Sequence, residues 1–178
     1  APYRHYLDHQ RLLAAHNLSE PEEKILVETA TARGQAFGRL FTETHGRAKY
    51  CLNRDGRRQE LTQSELLPLL YSPERPLRSA AAEALTKGLK RNAHVCTFIY
   101  NTLLHEKDVL DRLRHYHRPE DGRHLHNELS AEIVETVSEV CVDNYATVAE
   151  YYRLKRRVLD LDKLTHYDRY APIAGDES

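Results

Sequence analysis

Long apolar runs are missing from this 178-residue sequence: no segment approaches 18 consecutive apolar residues, and the start, Ala1-Pro2-Tyr3-Arg4, carries no apolar stretch of the kind that directs secretion. No membrane partner is expected. Cysteine is scarce and unpaired. Cys51, Cys96 and Cys141 are odd in number and never form a C-x-x-C pair, which argues against a disulfide frame or a thiolate zinc site and for reduced thiols in the cytoplasm. Neither sign of charge prevails, since 26 Lys and Arg stand against 27 Asp and Glu mixed along the chain. No general attraction to nucleic acid or anionic lipid follows. The glycine patterns that cradle phosphate, G-x-x-x-x-G-K-[ST] and G-x-G-x-x-G, are absent, as is the G-x-S-x-G elbow of serine hydrolases.

With 40% hydrophobic residues and only 7 Gly and 7 Pro, the chain can bury a core in one elongated domain or two small ones. Helical periodicity dominates. A first helix is expected from about Pro2 to His16, ended by Asn17. Ser19 with Glu22 forms a capping box that starts a second, and Gly34 marks a bend within it. Two short runs, 48–52 and 57–61, flank Asn53-Arg54-Asp55-Gly56, and Asp-Gly between such runs predicts a two-stranded hairpin. Thr62 and Glu65 form another capping box, bracketed by Leu61 and Leu66, for a helix from Gln63 to near Tyr71. Ser72-Pro73 then reads as N-cap and first helical residue of a long helix whose apolar face runs from Leu77 to Leu113. Arg118 to Gly122 ends it, and Ser130 caps one more, through Leu154, which should pack against it. The tail from Leu161 to Ile173 alternates apolar and polar residues, and Gly175 to Ser178 reads as a frayed end. The expected fold is all-α, mainly long antiparallel helices, with one small β-hairpin near residues 48–61.

Eleven His invite a search for metal ligands. His5 and His9 stand i, i+4, the spacing of the two imidazoles in H-E-x-x-H, but Tyr6 replaces the glutamate and no third ligand can be named. A solvated helix face is the plainer reading. His105-Glu106 begins the same pattern, and Val109 stands where the second histidine would be. His115 with His117, and His124 with His126, are i, i+2 pairs that diverge on a helix and read as polar helix ends. The three cysteines sit among apolar neighbours and read as small buried side chains, and Lys155-Arg156-Arg157 reads as a solvated basic face.

The order of several short segments is more specific than any of these. Leu18-Ser19-Glu20-Pro21-Glu22-Glu23-Lys24, Ala36 to Phe41, Ser72-Pro73-Glu74-Arg75-Pro76-Leu77-Arg78, Arg114-His115-Tyr116 followed by Asn127, Glu150-Tyr151-Tyr152-Arg153-Leu154-Lys155, and Leu164-Thr165-His166-Tyr167-Asp168-Arg169-Tyr170-Ala171-Pro172 together resemble the amino-terminal part of oligoendopeptidase F. The likeness covers nearly the whole chain. It implies a mostly helical cytoplasmic protein similar to thimet oligopeptidase, which uses zinc to cleave short peptides inside a deep channel. It also implies that residues 1–113 form the amino-terminal helical region and 114–178 the helices leading into the peptidase domain.

The same resemblance places the zinc ligands, an H-E-x-x-H helix and a later glutamate, downstream of the Tyr167-Asp168-Arg169-Tyr170-Ala171-Pro172 segment, and this sequence stops six residues after Pro172. No catalytic, cofactor-binding or metal-binding residue is therefore expected here; zinc belongs to the parent protein. Arg118 also stands where the family pattern has a small hydroxyl residue. Two readings follow: a non-catalytic fragment that forms part of the substrate-channel wall, or a free-standing helical module that binds peptides or a partner protein. In the first, the missing catalytic domain and short peptides are the partners, and apolar surface left bare on the long helices leads to self-association.

Overall fold

The computed structural model describes residues 3–54 and 56–173. The expectations for Pro2, for Asp55 and for Gly175 to Ser178 lie outside them. The elements are α1 (Arg4–Ala14), α2 (Glu20–Thr29) with a 3₁₀ turn (Ala30–Ala32), α3 (Gly34–Arg47), β1 (Tyr50–Arg54), β2 (Arg57–Leu61) and α4 (Gln63–Leu66), which runs into a second 3₁₀ turn (Leu67–Tyr71). After these come α5 (Arg75–Arg91), α6 (Ala93–Leu113), α7 (Asp121–His126), α8 (Ala131–Asp143), α9 (Tyr145–Val158) and a last 3₁₀ turn (His166–Asp168). The fold is mainly helical with one hairpin, as the periodicity predicts. Two compact units result, one of Ala1–Arg39 with Phe98–Asp143, the other of Leu40–Thr97 with Asn144–Ser178.

The second unit holds the main apolar core. Strands β1 and β2 pair antiparallel from Tyr50↔Leu61 to Arg54↔Arg57, so the connection is two residues long and Gly56 takes a φ of 73° that side chains disfavour. The first strand therefore begins at Tyr50 rather than Ala48. Alternation turns Tyr50, Leu52 and Leu61 inward, where they meet Leu66 of α4 and Leu77, Ala81 and Ala84 of α5. Leu61 and Leu66 thus close the staple around the Thr62–Glu65 cap, in which the Thr62 amide donates to Glu65 Oε2 at 2.7 Å. Pro68 follows within one turn, and without an N–H it cannot extend the α-helical ladder, so the chain tightens into the 3₁₀ turn. Small residues on α5 let the hairpin approach: a Cβ on Gly88 would collide with the Tyr50 ring.

Three expectations about helix length are corrected. The helix after Ser72-Pro73 starts later, with Glu74 at its N-cap and Pro76 in its first turn. Ser72 and Pro73 are held outside it because their carbonyls accept from Arg78. The long helix to Leu113 is broken at Asn92 (φ −99°, ψ 4°), and the one to Leu154 at Asn144 (φ −96°, ψ 8°). Both breaks fall on asparagine, whose side chain competes for backbone hydrogen bonds, and both adopt the bridge conformation. The apolar register runs on across each, which is why periodicity alone does not reveal them. Within the alternating 161–173 tail, Thr165 and Asp168 cap a 3₁₀ turn.

The first unit is differently built. Ile99, 3% exposed, is its one fully enclosed apolar side chain among the described residues. The expectation that the helix after Ser130 is covered by its predecessor fails, since Ile133, Val137, Val140 and Val142 on α8 all remain exposed. Polar links hold much of this unit.

Candidate functional site: a buried polar clasp

In the second unit, three of the segments that carry the family resemblance meet in one cluster. Arg75 and Arg78 are three residues apart at the start of α5, hence on one face. Arg75 grips Asp168 with two parallel hydrogen bonds, Nε to Oδ1 at 3.1 Å and Nη2 to Oδ2 at 3.0 Å. Arg78 Nη2 donates to Asp168 Oδ1 at 3.0 Å, Nε to the Tyr167 carbonyl at 3.2 Å, and Nη1 to the carbonyls of Ser72 and Pro73 at 2.7 and 2.9 Å. Thr165 completes the shell with its amide and hydroxyl on Asp168 Oδ2, at 2.9 and 2.7 Å. Asp168 is 0% and Arg78 3% exposed. Burial pushes the Asp168 carboxyl up, yet the hydrogen bonds from Arg75, Thr165 and Arg78 outweigh it and hold the group well below the usual carboxylate range. Lys155, 5% exposed, donates from Nζ to the Arg169 carbonyl at 2.8 Å, and burial followed by the nearby Arg78 charge lowers its pKa.

The first unit has a clamp of its own. Arg114 takes the Glu23 carboxylate end-on, Nη1 to Oε1 at 2.7 Å and Nη2 to Oε2 at 2.8 Å, and Nη1 also donates to the His16 carbonyl at 3.1 Å. His16 Nδ1 lies 2.8 Å from the Arg114 carbonyl, and its ring stacks on Tyr116 with centroids 4.1 Å apart. Two further family segments, 18–24 and 114–116, are thereby joined. The Arg114 hydrogen bonds, helped by the Leu18 amide, lower the Glu23 pKa from 4.5 to about 2. A depressed folded-state value means that only the unfolded chain takes up the proton as pH falls below 4.5, so the stabilisation is complete above that and lost toward pH 2. Thermal midpoints should be flat above about pH 5 and fall steeply below pH 4.5, with a shallower fall in Glu23→Gln. An identical acid slope in that variant would remove Glu23 from the account.

The residues singled out from the sequence are scattered by comparison. His5 Nε2 lies 2.7 Å from Glu128 Oε2 and His9 Nε2 3.0 Å from the Leu125 carbonyl, so the pair is not simply a solvated face; it holds α1 against the end of α7. Glu106 is committed to Arg33, at 2.9 Å from its Nε, with His105 exposed beside it. His115 sits in a left-handed turn (φ 58°), His117 and His126 are exposed, and His124 is half-buried with no hydrogen-bond partner for its buried Nδ1. Arg118 bridges Glu120 and Glu135. Cys141 is exposed rather than buried, on the bare face of α8, whereas Cys51 and Cys96 are half-buried. Lys155 corrects the reading of 155–157 as a solvated run, for the clasp encloses it. Among the described residues no group of three His, Cys, Asp or Glu side chains is arranged to hold a metal ion.

Sequence reasoning did not find the clasp, although two of its parts were readable: an arginine pair at i, i+3 and a T-x-x-D cap. Their meeting across some 90 positions, as in Arg78 with Asp168, has no local signal.

The sequence profile of the family described as Oligopeptidase F matches residues 1–50. Group B oligopeptidase PepB of Streptococcus agalactiae is 25% identical over 175 residues, covering 97% of this chain and 29% of that protein. Oligopeptidase PepF of Bacillus subtilis is 20% identical over 176 residues, covering 98% of this chain and 26% of that one. The crystal structure of oligoendopeptidase-F from Enterococcus faecium superimposes with a TM-score of 0.86 at 22% identity over 97% of this chain and 34% of that chain; at this identity it shows the shared fold. The chain thus spans under a third of the length of the curated relatives it matches and corresponds to their amino-terminal part.

Proposed function

We propose, from the premise that this chain corresponds to the amino-terminal part of oligoendopeptidase F-like peptidases, that it is the non-catalytic portion of a cytoplasmic zinc metallo-oligopeptidase and forms part of the wall of its substrate channel. The clasp carries this reading. The segments that make the chain resemble the family are spent on holding backbone to backbone: Arg78 caps carbonyls, Asp168 anchors a 3₁₀ turn, and Lys155 ties α9 to the Arg169 carbonyl. Side chains so fully engaged position a scaffold and do not meet a substrate.

Zinc does not fit the described residues. His5 and His9 face a carboxylate and a carbonyl, Glu106 is neutralised by Arg33, and Val109 closes the second candidate. Hydrolysis by metal-activated water requires three protein ligands, an open position and a base, and we place these in the catalytic part of the parent protein. In this reading residues 114–178 lead into that part, and its packing covers α8. Among the described residues no helix is long and apolar enough to cross a membrane.

The exposed Ile133, Val137 and Val140 also suit the second reading, a free-standing module that binds a peptide or protein partner. The coding sequence decides between them. Reading on through an H-E-x-x-H helix supports the peptidase fragment, and a stop codon directly after residue 178 removes it. By sedimentation the isolated chain should self-associate and take up an apolar dye; a monomer without dye binding would show that these faces need no cover.

A further inference from the structure

The hairpin has a second face that the core does not use. Cys51 pairs with Glu60 and Asn53 with Arg58 across the two strands, which sets these four side chains opposite Tyr50, Leu52 and Leu61. Beside them lies a cavity of about 290 Å³ lined by Cys51, Asn53 and Arg58 of the hairpin and Ala84, Lys87 and Arg91 of α5. Every charged residue in that lining is a cation. Arg58 Nη2 lies 3.2 Å from the Cys51 sulfur, and this contact is the main cause of a raised Arg58 pKa. Acidic groups stand at the edge: Glu60 Oε1 is 4.0 Å from the sulfur, and Glu83 pairs with Lys87 at 2.6 Å.

We infer that this cavity is a modification site, at which Cys51 exchanges with small disulfides that carry carboxylates. Half-buried Cys51 lines a space sized for a small molecule, and Arg58, Lys87 and Arg91 in the same lining offer partners to the carboxylates of an anionic disulfide. In the exchange the Cys51 thiol gives its proton to solvent, and the sulfur attacks one sulfur of R–S–S–R. A Cys51–S–R bond forms, the S–S bond breaks, and R–S⁻ leaves. The Cys51 sulfur supplies the electron pair of the new bond and the departing thiolate keeps the pair of the broken one, so Cys51 is oxidised to the disulfide level as one sulfur of the reagent is reduced to a thiolate. The adduct's carboxylates then lie among Arg58, Lys87 and Arg91, where charge-assisted hydrogen bonds hold them.

The other two thiols differ in the way that matters. Cys141 is exposed on α8, and Cys96 faces His45 Nε2 at 3.5 Å. Cys141 should therefore react fast with any reagent, so charge preference, and not speed, marks the Cys51 site.

The test uses two full-length chains, one keeping only Cys51 (Cys96→Ser, Cys141→Ser) and one keeping only Cys141 (Cys51→Ser, Cys96→Ser). Each is reacted with the dianionic 5,5′-dithiobis(2-nitrobenzoate) and with the dicationic disulfide cystamine, and adduct formation is followed by intact mass. The anionic-to-cationic rate ratio should be about tenfold higher for Cys51 than for Cys141, and should fall with added salt. Arg58→Gln with Lys87→Gln, both on exposed side chains, should bring the Cys51 ratio down to that of Cys141 without changing the circular dichroism spectrum. Equal ratios for the two thiols, or a Cys51 ratio that survives the double charge removal, would overturn the assignment.

Discussion

Replacing Asp168 by Ala should destabilise the second unit by about 3–5 kcal/mol, the cost of stripping one partner from a buried ion pair. The carboxylate itself is fully enclosed, and so is Arg78. Once the acid is gone, the Arg78 guanidinium keeps its three backbone carbonyls but carries a buried charge without the carboxylate that balanced it. Arg75 is less affected, because its side chain is 39% exposed and water can take over. Asp168→Asn keeps the shape and one acceptor, and should fall between the wild type and Ala. The measurement is urea unfolding followed by circular dichroism. A loss below about 1 kcal/mol, the range of exposed pairs, would mean that the clasp contributes as surface salt bridges do and organises nothing.

Tyr50→Ala should cost a similar amount, about 3–5 kcal/mol, by the arithmetic of large core side chains cut to a methyl. Tyr50 is 0% exposed, sits at the start of β1 opposite Leu61, and lies so close to α5 that only glycine fits at position 88. The cavity left behind cannot close easily, because the hairpin and α5 both rest on the ring. Tyr50→Phe separates packing from polarity. The hydroxyl reaches Gln63 Oε1 only at 3.5 Å, the limit of hydrogen bonding, so this variant should lose less than about 1 kcal/mol. If Phe cost as much as Ala, the hydroxyl and not the ring would be the keystone.

These two sites mark what could and could not be read in advance. The capping boxes at Ser19 and Thr62 and the Asp-Gly turn signal rest on residues within four positions of each other; both caps are where the sequence predicts them, and so is the hairpin, with its first strand moved from 48–52 to Tyr50–Arg54. Tyr50, Leu52 and Leu61 were readable as one face once the hairpin register was known. The breaks at Asn92 and Asn144 were not, since apolar spacing passes through both and only the surrounding packing decides where a helix stops. The clasp is further out of reach. Arg78 and Asp168 each look like ordinary surface charges in their own segment, and their burial depends on a contact that no periodicity encodes. The family likeness pointed to the right segments without saying why they matter; in the structure, the reason is that they hold backbone together.

In the function proposed above, this chain supports a peptidase without performing its chemistry. The most direct measurement is hydrolysis of a quenched fluorescent peptide by the purified chain, with and without added zinc, and again after mixing with the separately produced remainder of the parent protein. No turnover by the chain alone under either condition, and turnover in the mixture, is the predicted result. Hydrolysis by the chain alone that a chelator abolishes would contradict it.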